Sequence, residues 1–366
     1  MPTDAPAGRS FSPDYVVAPG DTLAEMLEER ALTQTELARR LGVSLKHINQ
    51  IINGVVPISA DIALALEKVL GVTASFWLNR DALFQAELAR REEHRDLADE
   101  VEWAEHFPIS DLKRRGYVDK KAKGAELVAS LLQFLGLASP RQWSDPVVSY
   151  RKSLKFESDQ YALGAWLRVG ELEARSQQCA PYDADRFTAA LQDIRGLTRL
   201  KPEQWGPELN RLCQAAGVAV AIVDTFTGAR VNGAARWLAP HRALIQLSLR
   251  YRWEDIFWFS FFHEAGHILL HRKKEMFVEP KTRPIATTPA IREWLRIEHQ
   301  ADRFASRVLI PPPYDRQLPG LSVSDVSAFA ERIGTAPAIV VGRMQHDELL
   351  PYSAGNHLRR RLAFVD

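Results

Sequence analysis

The stretch Trp258–Lys274, WFSFFHEAGHILLHRKK, is apolar enough for a core helix, yet it carries His263, Glu264, His267 and His271. Imidazoles and a carboxylate are costly to bury unless they are hydrogen-bonded or hold something. His263 and His267 are four residues apart, so both rings lie on one helical face, about 6 Å from each other. With Glu264 beside the first, the pattern is HExxH: two neutral imidazoles suited to zinc and one carboxylate to handle a proton of water.

A zinc site with an open position takes a third protein ligand. Downstream, EHQAD places Glu298 and Asp302 four apart on one face of another helix. Glu298 suits the third ligand, and Asp302 suits the acceptor of a ligating histidine's far N–H, which fixes its tautomer. The rival pattern needs a glycine at 270 and a histidine at 273, where this chain has Leu270 and Lys273. His271 continues the face by one more turn. Three ligands at i, i+4 and i+8 of one straight helix cannot surround an ion, because the ends are about 12 Å apart. His271 is therefore assigned a structural role or one behind the ligands. His299 is expected to point away from Glu298, toward the surface or a substrate. The bland alternative, a degenerate pair of packed helices, has to explain why every residue needed for chemistry is present.

The 366 residues are too many for one small core, so two or three domains are expected. The formal net charge is +1, so any contact with nucleic acid has to come from a local patch. Cys179 and Cys213, the two cysteines, form no CxxC pair and no disulfide framework, which fits a reducing cytoplasm. The N-terminus lacks the pattern of a signal peptide, and the most apolar window, Ile256–Leu270, is too short for a membrane span. A cytoplasmic protein without membrane contact is the expectation.

Residues 1–14, rich in Pro, Ala, Ser and Asp, read as disordered. Residues 15–95 read as five short helices. The first is capped by Asp21 or Thr22, the second by Thr33, the third by Ser44 and the fourth by Ser59. Residues 96–216 read as a connector followed by a helical extension, the connector being the charged, weakly patterned stretch between Leu97 and Lys123. From 217 to 366 the chain changes period. VAVAIVD, ARWLAP and ALIQLSL read as short strands with TGARVNG as turn material, followed by helices at Trp253–Arg272 and from Pro289.

The second and third helices are joined by a tight GVS turn. Leu37, Ala38 and Leu41 form the apolar face of one, and Ile48, Ile51 and Ile52 that of the other. This is helix-turn-helix packing. It leaves Ser44, Lys46, His47, Asn49 and Gln50 on the exposed face, with lengths and polarity suited to base edges, and Gln34 at a helix N-terminus where a phosphate is held. A solvated polar face is the bland reading. The near balance of acidic and basic residues lowers affinity per module and argues for a dimer.

The run from Pro19 to Glu92, with its ING, PIS, ALALEKVLG and FWLN succession, resembles Xre-type helix-turn-helix domains of HigA-like antitoxins and repressors. The resemblance implies a homodimer that binds double-stranded operator DNA. The segment NGAARWLAP, ALIQLSL, FWFSFFHEAGHILLH and EHQADRFASRVLIPP resembles the ImmA/IrrE metallopeptidase domain, with Gln300 and Asp302 where that family often has Glu and Asn. This second resemblance implies a zincin-like α+β fold, a Zn2+ cofactor held by His263, His267 and Glu298, Glu264 as the catalytic carboxylate, and helix-turn-helix repressors as targets. The expected protein is mainly α: a DNA-binding module, a helical connector and a small zinc metallo-endopeptidase that cleaves a repressor or itself. The rival is an antitoxin-like regulator whose peptidase-like domain only senses. Intact Glu264 favours the first, since a sensor needs ligands but no general base.

Overall fold

The structure, a computed structural model, describes residues 17–143, 159–271, 277–280 and 288–363. The expected disorder over 1–14 and the residue Lys273 lie outside them. The chain divides into two compact units, Met1–Val101 with Lys123–Ala129, and Glu102–Ala122 with Ser130–Asp366.

The first unit contains five helices, α1 Pro19–Glu29, α2 Gln34–Leu41, α3 Leu45–Ile52, α4 Ala60–Leu70 and α5 Ala74–Ala98. The hydroxyls of Thr33, Ser44 and Ser59 each accept the N–H three residues on, which starts α2, α3 and α4. Left-handed Gly42 and Gly71 close α2 and α4. The start of α1 differs from expectation. Ala18 is the cap, and Asp21, one turn inside, accepts the Ala18 N–H at 3.2 Å. Pro19 explains the shift, because its fixed φ and missing N–H suit the first helical position. Leu23, Leu37, Ile48, Leu66 and Trp77 fill one core, with Leu41 and Ile52 half-buried at its margin. Where α1 meets α3, a Cβ at Gly20 would sit 2.0 Å from the Ile52 carbonyl oxygen, so only glycine permits that approach.

In the second unit the stretch expected as a loose connector is folded. It forms α6 Val101–Glu105 and α7 Ile109–Arg114 and buries Ala104, Phe107, Leu112, Val118 and Ala122. Arg115 donates to the carbonyls of Asp224 and Thr225 at 2.7 and 2.9 Å and lies over the Phe226 ring. The charge run hid this: the apolar residues are spaced for short helices with turns, too irregular for a clear period. Then come α8 Gly124–Leu135, whose residues up to Ala129 count with the first unit, α9 Gln160–Ser176, α10 Ala184–Leu197 and α11 Pro202–Ala215.

A four-stranded sheet follows, β1 Val218–Ile222, β2 Val231–Ala239, β3 Arg242–Leu247 and β4 Phe277–Pro280, in the order β1-β3-β2-β4. β1 runs parallel to β3, while β2 is antiparallel to both β3 and β4. Two expectations are corrected. β4 was not foreseen, and Val231–Gly233, read as turn material, begins β2. Gly and Asn lower strand propensity, but the pairing partners β3 and β4 override that local preference. α9 packs on the sheet at Gly170, where a Cβ would sit 2.0 Å from the side chain of buried Gln246. Gln246 Nε2 donates to the Trp166 carbonyl at 2.6 Å.

The remaining helices are α12 Glu254–Leu270, α13 Pro289–Leu309, α14 Pro312–Asp315, α15 Val326–Ile333 and α16 Pro337–His346. One hydrophobic core runs from Phe187 to Leu362, so α10 and α11 share their interior with the sheet and α12. α12 is buried over most of its circumference, so its apolar residues are not confined to one stripe. Its acidic first turn is held from the C-terminal segment. Arg359 makes a bidentate pair with Asp255 at 2.9 and 2.8 Å, Arg360 pairs with Glu254 at 2.7 Å, and Arg361 bridges Trp253. Among the described residues no helix is long and apolar enough to cross a membrane.

Candidate metal centre and nucleic-acid face

His263, His267 and Glu298 come together at the crossing of α12 and α13, all fully buried, with one ligand atom of each within 4.8 Å of the others. Gly266 sets the closeness of that crossing: a Cβ there would lie 3.2 Å from the Phe304 ring and 3.3 Å from Ala301 Cα. The two Nε2 atoms are 3.0 Å apart, and they lie 3.4 and 3.3 Å from the oxygens of Glu298. Ligand atoms about 2.0–2.1 Å from a tetrahedral zinc are separated from one another by about 3.3–3.4 Å. The donor set and its spacing therefore fit zinc.

The hydrogen bonds behind the rings prepare the same two nitrogens. Asp302 Oδ1 lies 2.9 Å from His263 Nδ1, so that nitrogen donates and Nε2 keeps its lone pair. His267 Nδ1 lies 3.0 Å from His271 Nδ1, and His271 Nε2 lies 3.1 Å from Gln300 Oε1. With Gln300 accepting from His271 Nε2–H, His271 Nδ1 accepts from His267 Nδ1–H, and His267 Nε2 carries a lone pair. His271 does not extend α12 as the spacing suggested. It is the residue after the helix, with extended backbone (φ −118°, ψ 170°), and from there its ring reaches back to His267. Burial holds the His267 imidazole down at about 4, against the pull of Glu298 in the other direction. Burial pushes the Glu298 carboxyl up, and its two buried oxygens, which no hydrogen-bond donor among the described residues reaches, face the same two Nε2 atoms. A neutral imidazole and an ionised carboxylate are what a divalent cation requires.

Glu264 is fully buried on the side of α12 that faces β2. A Cβ at Gly233 would sit 2.6 Å from its Oε1 and 2.9 Å from its Cγ, so the missing side chain makes the room. The register of β2 against β4 slips between Val231 and Ala234, a bulge beside this glycine. Glycine inside a strand pattern signals such a close approach, and that signal stood in VNGAARW unread. The Arg359–Asp255 pair and the Gln300 contact were also missed, since both join residues distant in sequence. The exposed ring of His299 takes no part in the cluster.

In the first unit, Lys46 and Asn49 are exposed on α3, while His47 and Gln50 are half-buried. The Ser44 hydroxyl accepts from the His47 N–H at 3.2 Å as the α3 cap, and the residue is exposed. Leu45 is 41% exposed on the same turn. Gln34 opens α2, half-buried. Glu36 binds both Arg39 and Arg40, and these hydrogen bonds hold its carboxyl at about 2. Both arginines are therefore partly neutralised.

A helix-turn-helix module and a mixed-sheet unit whose buried helix carries HExxH define a DNA-binding type of regulator fused to a peptidase-type domain. Residues 23–77 match the helix-turn-helix family and residues 234–344 match the IrrE N-terminal-like domain. The chain belongs to the Xre/HigA-type helix-turn-helix proteins by its N-terminal part and carries an IrrE N-terminal-like domain behind it. Over 88 residues it is 34% identical to the virulence-associated protein I of Dichelobacter nodosus, which is 24% of this chain and 80% of that protein. Among solved structures, a HigA-family addiction module antidote protein of Coxiella burnetii is 32% identical, over 24% of this chain and 95% of that one, with a TM-score of 0.22. PA4674 of Pseudomonas aeruginosa, solved with its operator DNA, is 29% identical over 24% of this chain and 98% of that one, with a TM-score of 0.22.

Proposed function

We propose that the protein is a DNA-binding regulatory zinc metallopeptidase that cleaves a repressor-type protein. The observation that carries this reading is the buried convergence of His263, His267 and Glu298 with Glu264 seated against Gly233. A zinc ion bound there would supply Lewis-acid polarisation and a lowered pKa of water. His263, His267 and Glu298 hold the ion, and Asp302 and His271 fix the tautomers of the two rings. Glu264 takes the proton of the attacking water and delivers it to the leaving amine. The first unit acts as a homodimer on operator DNA, with Lys46, Asn49 and Gln50 of α3 toward the bases and Gln34 toward a phosphate.

The test is metal analysis of the purified protein joined to cleavage assays on helix-turn-helix repressors. Glu264→Gln is expected to keep zinc and fold while losing all cleavage. If zinc binds and no repressor is cut by the wild type, while a ligand to the metal alters DNA binding, the second unit is a sensor instead. Cleavage of a separate repressor is favoured over self-cleavage within 97–123, because Val101–Glu105 and Ile109–Arg114 are helical and Phe107, Leu112, Val118 and Ala122 are buried. Protease clefts take extended, accessible backbone.

A further inference from the structure

We propose that the cavity bounded by α10, α12 and α13 binds a small organic anion, an oxyanion head on an apolar body, and that this site is coupled to the metal centre through Gln300 and His271. The coupling rests on the metal-centre reading above, whereas the anion site does not. The cavity measures about 680 Å³, within the range of small-molecule sites, about 300–1,000 Å³.

Its charge is unbalanced. Arg303 and Arg307 are four residues apart on α13, so their guanidinium groups lie on one face of the helix. Both are exposed, and among the described residues neither makes an ion pair or hydrogen bond. Among the described residues Arg195, from α10, donates to the carbonyls of Leu309 and Ile333 and meets no carboxylate. With no carboxylate among the described lining residues, the three guanidinium groups repel one another and raise the potential of the cavity. The planar forks of Arg303 and Arg307 match carboxylate, phosphate and sulfonate oxygens. The apolar wall comes from Phe304 and from Leu270, which is 51% exposed at the end of an otherwise buried helix. A purely inorganic ion would leave this wall uncovered, so an organic anion is the better fit.

Gln300 joins the two sites. It lines the cavity, and its Oε1 is the acceptor that orients His271 and, through it, His267. Its amide N–H groups remain for an anion. An anion held there by Arg303 and Arg307 fixes the Gln300 side chain, and with it the ring behind the candidate ligand, so bound metal is expected to leave more slowly.

The experiment uses the full-length protein, with anilinonaphthalene sulfonate as fluorescent probe and naphthyl phosphate as competitor. Saturable probe binding, displaced by naphthyl phosphate and weakened about tenfold or more by the double substitution Arg303→Ser and Arg307→Ser, is the expected result. Single Arg307→Ser serves if the double variant fails to fold, as judged by circular dichroism. Unchanged probe affinity in the folded variant overturns the site. So does preferential displacement by a glutamate-rich peptide, which makes the groove a protein-docking surface. In the second arm, naphthyl phosphate is expected to slow zinc transfer to a chelator severalfold in the wild type and to have no such effect in Gln300→Leu. An equal effect in both, or none in either, overturns the coupling. If the purified protein takes up no zinc, the metal-centre reading fails and the coupling with it, while probe binding still decides the anion site.

Discussion

At the scale of single residues the metal centre is a problem of burial. Glu298 is completely buried, with its carboxyl oxygens facing two imidazoles. An ion taken out of water costs several kcal/mol unless it is compensated. A bound cation offsets that cost, so Glu298→Ala is expected to lose most of the zinc in a metal titration, and full retention would remove it from the ligand set. Asp302→Ala is expected to weaken zinc by about 10–100-fold, because the His263 ring loses the acceptor that orients it. Gly233→Ala tests a different point. The added methyl collides with Glu264, so zinc is expected to stay while cleavage falls, with a stability loss of about 1–3 kcal/mol in a denaturant melt. Equal cleavage by this variant would show that Glu264 has room to move without consequence.

At the scale of elements, α12 depends on both of its ends. Its acidic first turn is tied by Arg359 and Arg360, and its last turn hands over to His271. The Arg359–Asp255 pair is nearly fully buried, at 8% and 9% side-chain exposure. A Cβ at Gly342 on α16 would sit 2.4 Å from Asp255 Oδ2, so the carboxylate has no room to turn away. Arg359→Ala leaves Asp255 buried without its cation and is expected to cost about 3–5 kcal/mol, read as a large drop in thermal midpoint. A drop like that of an exposed arginine would mean water reaches the site. On α3, replacing Lys46 and Gln50 together is expected to abolish operator preference in footprinting, while Gln34→Ala weakens binding to all sequences alike. Unchanged footprints in the double variant would take α3 out of base reading.

At the scale of the whole molecule, the division between units does not follow the charge pattern. Leu97–Lys123 looks like a linker in sequence, but Glu102–Ala122 belongs to the second unit and its Arg115 is tied beneath the β1–β2 connection. Limited proteolysis of the intact chain is expected to spare 102–114, because short helices with Ala104, Phe107 and Leu112 buried beneath them do not enter a protease cleft. A first cut there, located by intact mass, would contradict the packing.

By itself the sequence determined the elements whose signals are local. Helix period puts His263 on one face with His267 and Glu298 on one face with Asp302, and short-range caps announce α2, α3 and α4. These properties need only neighbours within about four residues. Tertiary structure alone decided the rest. β4, the strand start at Val231, the burial of Phe107 and Leu112, the reach of Arg359 to Asp255 and the Gln300–His271–His267 chain all depend on partners far away in sequence. Strand pairing and buried polar contacts form only when two distant segments meet, and neither segment alone carries the energy that selects the other.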